Sequence, residues 1–277
     1  MNSEYYYMHL DLGPEIRYFG YAIYLLVAIF GLILGSFLNS WIWRKRENIR
    51  IIGNTRSICI HCHHVLSWYD NIPLLSYLLQ NGKCRYCSKK IPFHYFLVEL
   101  ITPILLVLVF RHCLTSLHFS EWRLLRNIFF LSFLVIIFKY DWLYREIPSD
   151  VVWAGVVLGL FINYSFLNKS LFSMLLGSAI MGGFFLAQYL ISKGRWIGGG
   201  DVRLGFMFGL WLGWPVALVS LFVSYILGAI VAVGLLVAHK VNRQSEIPFG
   251  TFLAVGVFGC LMWGDKIVKW YMMFLGN

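Results

Sequence analysis

Apolar runs recur along almost the whole chain, most of them near the length that crosses a lipid bilayer and the sixth short. They lie at about 18–43, 96–110, 124–139, 151–166, 171–191, 202–212, 216–238 and 248–263. A bilayer core of about 30 Å needs roughly 20 apolar residues in a helix. Within lipid every backbone N–H and C=O must be paired inside the segment, so helices are the expected form. Composition agrees: 59% of residues are hydrophobic, 13% are charged and the mean hydropathy is +0.70. Soluble domains carry roughly 25% charge. The expected fold is an all-α polytopic membrane protein of about eight transmembrane helices.

Charge placement orients these spans. The run Arg44-Lys45-Arg46 stops the first one, and basic clusters of this kind mark cytoplasmic loops. With both termini outside, 16 of the 23 Lys and Arg residues fall on the cytoplasmic side and seven outside. The net charge of +10 therefore reads as lipid-facing loops rather than a nucleic-acid surface. Residues 1–17 are acidic and Tyr-rich without a basic leader, so the first span is expected to be retained. The basic and aromatic residues 266–274 are expected to lie along the interface.

One stretch, 45–95, is polar and irregular. About 50 residues is too few for a sizeable apolar core, and a metal staple is the usual remedy. The stretch holds Cys59-Ile60-His61-Cys62 and Cys84-Arg85-Tyr86-Cys87, with 21 residues between the pairs. Two such pairs in a reducing compartment form a four-thiolate site suited to Zn²⁺. Cys59, Cys62, Cys84 and Cys87 are the expected zinc ligands, with His61, His63 and His64 solvated around them. The chain then divides into a tail and first span (1–44), a cytoplasmic zinc-type insert (45–95) and a membrane domain (96–277).

The chain has 13 acids, and the topology sorts them. Glu4, Asp11, Glu15, Glu121 and Asp265 fall outside; Glu47, Asp70 and Glu99 belong to the insert or its junction. Asp141, Glu146, Asp150, Asp201 and Glu246 remain at the cytoplasmic membrane edge. Asp150 reads as an N-cap, and Glu146 and Glu246 as loop charges. Asp141 directly follows a span, and Pro148 closes the short loop after it. Asp201 follows Gly198-Gly199-Gly200, where the glycines admit a close backbone. Its simplest role is to cap the helix it precedes. Two carboxylates held together share a proton; one then activates water while the other polarises a carbonyl. Asp141 and Asp201 are the candidate catalytic pair.

These residues carry a resemblance. Asp141 followed by Ile147-Pro148, with Gly198-Gly199-Gly200-Asp201 downstream, is similar to the motifs of prepilin peptidases, membrane aspartic endopeptidases of type IV pilus and type II secretion systems. Gly35-Ser36-Phe37-Leu38-Asn39, Asp70 to Ser76, Gly82-Lys83-Cys84, Val98-Glu99-Leu100 and Ile247-Pro248-Phe249-Gly250 extend the match in order. Thr251 stands where relatives often have a second proline, and Ser149 where Asn or Asp is common.

The resemblance implies a bacterial inner-membrane enzyme that cleaves prepilin or pseudopilin leaders after a glycine at the cytoplasmic face. It also implies methylation of the new N-terminus with S-adenosylmethionine. Gly198 and Gly200 are the expected substrate contacts. Gly82 and Lys83 are candidate methyl-donor contacts, or simply a turn opening the second knuckle. Two other readings stay open at this point: a presenilin-like intramembrane aspartic protease, and a transporter or scaffold with a zinc-binding insert.

Overall fold

The computed structural model describes residues 14–49, 56–116, 119–239 and 248–275. Among them the chain is helical, with isolated β-bridges only at Ile58–Val65 and Lys83–Lys90. The helices are α1 (Pro14–Arg46), α2 (Leu75–Leu79), α3 (Phe93–Thr115), α4 (Glu121–Tyr144), α5 (Ser149–Ser165), α6 (Leu171–Ser192), α7 (Gly199–Leu212), α8 (Val216–Val237) and α9 (Phe249–Leu275). All but α2 match the expected spans in order. Five are long and apolar enough to cross a membrane, and α5 is a shorter apolar helix. The protein is thus a multi-pass membrane protein.

Three expectations about boundaries change. Helix α4 runs past Asp141 to Tyr144, so Asp141 lies in a last helical turn rather than in a loop. Arg145 ends that helix in the left-handed conformation, at φ 52°, and its N–H bonds Asp141 O. Helix α9 continues unbroken to Leu275, so residues 266–274 extend the helix of the last span instead of forming a separate segment. Asp150 sits inside the first turn of α5, whose N-cap is Pro148. Glu4, Asp11, Glu246 and Ile247 lie outside the described residues.

The chain forms two compact units, Met1–Phe110 and Arg111–Asn277. In the first, α1 and α3 meet through small residues. A Cβ on Gly31 would fall 2.5 Å from Pro103 Cα, and one on Gly35 would fall 3.2 Å from Glu99 Cα. Asn39, nearly fully buried, donates from Nδ2 to Tyr95 O at 2.9 Å.

In the second unit α7 is the central element, packed most extensively on α6 and also on α5, α8 and α9. Gly205 and Gly209, four residues apart on α7, face Gly182 and Gly177 on α6. A Cβ on Gly209 would fall 2.3 Å from Gly177 O. Lipid offers no hydrophobic drive between helices, so such small-residue seams supply the packing. On the far side of α7, buried Trp211 stacks on Phe130 of α4 at 4.5 Å and 8°. Its indole donates to Gly155 O of α5 at 2.8 Å, which satisfies the one polar group of a buried ring. This core fixes α7 rigidly, and α7 carries Asp201 in its first turn.

Candidate active site

Asp201 is the third residue of α7; the N-cap is Gly198, and the Asp201 N–H bonds Gly198 O at 3.1 Å. The acid is therefore not the N-cap residue of its helix. Its Oδ1 is buried and has no hydrogen-bond partner among the described residues. A buried carboxylate oxygen without a donor is costly in ionised form.

Asp141 is 5% exposed and sits at the start of α9. Its Oδ2 accepts from the Thr251 N–H at 2.8 Å and from Thr251 Oγ1 at 3.1 Å. A helix N-terminus offers unpaired N–H groups and a positive dipole end, so it favours a carboxylate. Asp141, 110 residues away in sequence, supplies the acceptor that α9 lacks in its own first turn.

Ile147 packs against the glycines beside the two acids. A Cβ on Gly200 would fall 2.9 Å from Ile147 Cδ1, and one on Gly250 would fall 3.4 Å from that atom and 3.0 Å from Asp141 Oδ2. The Ile147 side chain thus wedges between the first turns of α7 and α9. The room expected at Gly200 for a substrate backbone is filled by Ile147. At Gly198 a Cβ would meet only Asp201 Oδ2, at 3.6 Å. Arg203 fastens the loop from the other side, with Nε on Gly199 O at 3.2 Å and Nη1 on Ser149 Oγ.

The cysteines form a second centre. The sulfur atoms of Cys59, Cys62, Cys84 and Cys87 lie within 4.8 Å of one another and could hold a metal ion. Each pair is the same knuckle. Cys59 N–H bonds His64 O at 3.0 Å and His63 N–H bonds Cys59 O at 3.0 Å; Cys84 N–H bonds Lys89 O at 2.9 Å and Ser88 N–H bonds Cys84 O at 2.8 Å. His63 and Ser88 turn each knuckle at positive φ, 56° in both.

Burial pushes the Cys59 thiol up, but N–H groups of Cys62 and His61 and the sulfurs of Cys84 and Cys62 outweigh it and bring it to about 7. At Cys87 the Lys89 N–H lowers the value, but burial and the three other sulfurs raise it to about 11. Thiols that share protons in this way are ready for a cation. Among possible ions, four thiolates and no oxygen donor suit Zn²⁺.

Asp70 ties the insert together. Its carboxylate accepts from Ser67 N–H at 3.2 Å, Gln80 Nε2 at 3.0 Å and Tyr86 OH at 3.2 Å, and pairs with Arg85 Nε at 3.3 Å. Gly82, at φ 65°, is buried under Tyr77, where a Cβ would fall 3.0 Å from the ring; its N–H bonds Tyr77 O. Lys83 is exposed. Neither lines the cavity of about 140 Å³ bounded by Ser36, Asn39, Tyr77, Gln80 and Glu99.

Thr251, Ile147 and Arg203 did not emerge as site residues from the sequence. The available sign was Pro248-Phe249-Gly250, which marks a helix start and hence a place for an acid.

Comparison with known proteins gives the family. Residues 29–113 match the bacterial peptidase A24 N-terminal domain, and residues 128–233 match the type IV leader peptidase family. A protein of Aeromonas salmonicida named prepilin leader peptidase/N-methyltransferase is 30% identical, over 89% of this chain and 93% of its own length. Proteins of the same name from Pseudomonas aeruginosa and Bacillus subtilis are 29% and 31% identical, over 92% and 88% of this chain and 95% and 96% of their own lengths. No solved structure matches the chain. The match along nearly the full length leads to one conclusion: the chain belongs to the type IV leader peptidase family.

Proposed function

We propose that the protein removes the leader of prepilins or pseudopilins with Asp141 and Asp201 as its catalytic pair, at the cytoplasmic face of a bacterial inner membrane. The observation that carries the reading is the unequal surroundings of the two acids. Asp141 has two donors on Oδ2 and a helix start behind them, and it serves as the carboxylate. Asp201 has a buried oxygen without a donor, and it holds the shared proton.

The reaction then balances simply. Asp141 takes a proton from water as the oxygen attacks the scissile carbonyl carbon. The proton on Asp201 goes to the carbonyl oxygen. Collapse of the tetrahedral intermediate breaks the C–N bond; the leaving nitrogen takes the proton from Asp141 while a hydroxyl of the intermediate returns its proton to Asp201. Residues 96–277 form the peptidase part.

Residues 45–95 form a zinc-bound insert, with Cys59, Cys62, Cys84 and Cys87 as ligands and Zn²⁺ supplying a structural link. The names of the relatives support a second step on this chain, methylation of the new amine by S-adenosylmethionine. Ligands of drug size occupy roughly 300–1,000 Å³. The 140 Å³ cavity beside the insert accommodates only a part of such a donor.

The test is to incubate the purified protein with a prepilin and S-adenosylmethionine and to read product masses. A product lacking the leader and heavier by one methyl group is expected. An untrimmed substrate contradicts the peptidase, and a trimmed but unmethylated one contradicts only the second step.

A further inference from the structure

At the end of the second unit away from the aspartates, α4, α7 and α9 border an open cavity of about 330 Å³. It lies about 22 Å along α4 from Asp141, since Arg126 precedes that acid by 15 residues at about 1.5 Å each. Arg123, Arg126 and Lys169 line it, with Asp265 the one carboxylate. These three cations are among the few that the charge pattern leaves on the side opposite the basic loops.

Their hydrogen bonds go to neutral groups. Arg126 donates to Asn127 Oδ1 at 2.9 and 2.7 Å and to Asn163 Oδ1 at 3.4 Å. Arg123 donates to Ser116 Oγ at 3.3 Å. Lys169 Nζ donates to Trp211 O at 3.1 Å and to Leu212 O, the free carbonyls at the end of α7. An ammonium has three donors and a guanidinium five, so each cation keeps donors in hand. No carboxylate lies within ion-pair range of any of the three among the described residues.

The carbonyls explain Lys169 alone, as a cap on α7. They leave two guanidiniums beside it on the same cavity, and like charges brought together out of bulk water need a counter-charge. Asp265 is exposed and is one charge against three. We propose that this cavity binds a phosphate group, supplied by the headgroup of an anionic lipid.

The surroundings favour the lipid as source. Trp122, Trp214 and Trp263 are exposed around this end of the unit, and Trp214 lines the cavity itself. Exposed tryptophans mark the headgroup level of a bilayer. Planar guanidiniums suit bidentate binding of phosphate oxygens. The site is independent of the peptidase reading and takes no part in cleavage.

The test uses the full-length protein, delipidated in a neutral detergent. Its unfolding midpoint is followed against added phosphatidylglycerol, diacylglycerol with the same acyl chains, and inorganic phosphate. A ligand that binds the folded state raises the midpoint saturably. Phosphatidylglycerol is expected to do so and diacylglycerol not. The apparent Kd should weaken about tenfold or more in Arg123→Gln and in Arg126→Gln, while the exposed-site variant Lys269→Gln binds like the parent. Among the described residues Arg123 makes a single hydrogen bond, so its variant carries the test if Arg126→Gln does not fold. An equal saturable rise with inorganic phosphate would keep the phosphate site and replace lipid by free phosphate as its source. No saturable rise with either phosphate compound, or parental binding by Arg123→Gln, overturns the site.

Discussion

Thr251 donates twice to one oxygen of Asp141, through its backbone N–H at 2.8 Å and its hydroxyl at 3.1 Å. The pair joins the end of α4 to the start of α9 and sets the two acids apart in character. A hydrogen bond to a charged group contributes about 1.5–3 kcal/mol. Removing the hydroxyl in Thr251→Val takes away a donor that favours the carboxylate. The proton is then held more tightly, and the acid limb of the cleavage rate against pH moves to higher pH. We expect a move of about one pH unit or more in Thr251→Val, with Thr251→Ser close to the parent. A profile unchanged in the valine variant would show that the hydroxyl does not tune the acid.

Ile147 between Gly200 and Gly250 gives a second prediction. A methyl group added in Gly200→Ala would fall 2.9 Å from Ile147 Cδ1. Overpacking of this kind costs about 1–3 kcal/mol, and here the strain sits beside both acids. Gly200→Ala should lower leader cleavage by about tenfold or more. Ile147→Val, which shortens the wedge, should restore part of it in the double variant. Additive losses in a double-mutant cycle would place the two residues out of contact.

The α6–α7 seam predicts a purely structural effect. A side chain at position 209 meets backbone rather than a movable side chain, with Gly177 O 2.3 Å from the first carbon. Gly209→Val should lower the unfolding midpoint sharply and cleavage with it. Gly183→Ala, where a Cβ meets nothing within 4 Å, should leave both near the parent values.

Metal content forms the fourth prediction. The purified protein should carry one zinc per chain, and Cys84→Ser should lose it. Thiolates bind zinc and thiols do not, so protons compete with the metal. Retention should be full at neutral pH and fall as the pH is lowered. Protease cutting within residues 56–92 should rise as zinc is lost. Intact cysteines with no metal at neutral pH would contradict the assignment.

Much of this molecule can be read from its sequence. Apolar runs and basic stops gave eight of the nine described α-helices in order, because bilayer thickness and charge placement leave few alternatives. The cysteine spacing located the knuckles, since two Cys-x-x-Cys turns need no distant partner to be recognised. Asp141 and Asp201 stood out because few acids lie at one membrane edge. What surrounds them was not legible. The partner of Asp141 lies 110 residues away, and only the packing of α4 on α9 brings it there. Gly200 reads as open space in the sequence, yet a side chain from a different loop fills it. Asp141 looked like the residue after a span, because hydropathy falls before the helix ends.

The central claim is that two carboxylates, and not one, perform the cleavage. The direct measurement is leader removal from a prepilin by Asp141→Asn and Asp201→Asn, each purified and shown to unfold at or near the parental midpoint. General acid–base catalysis contributes about 10²–10⁴-fold. Each variant should therefore lose at least about 100-fold in cleavage rate. Cleavage at or near the parental rate in either folded variant would contradict the account.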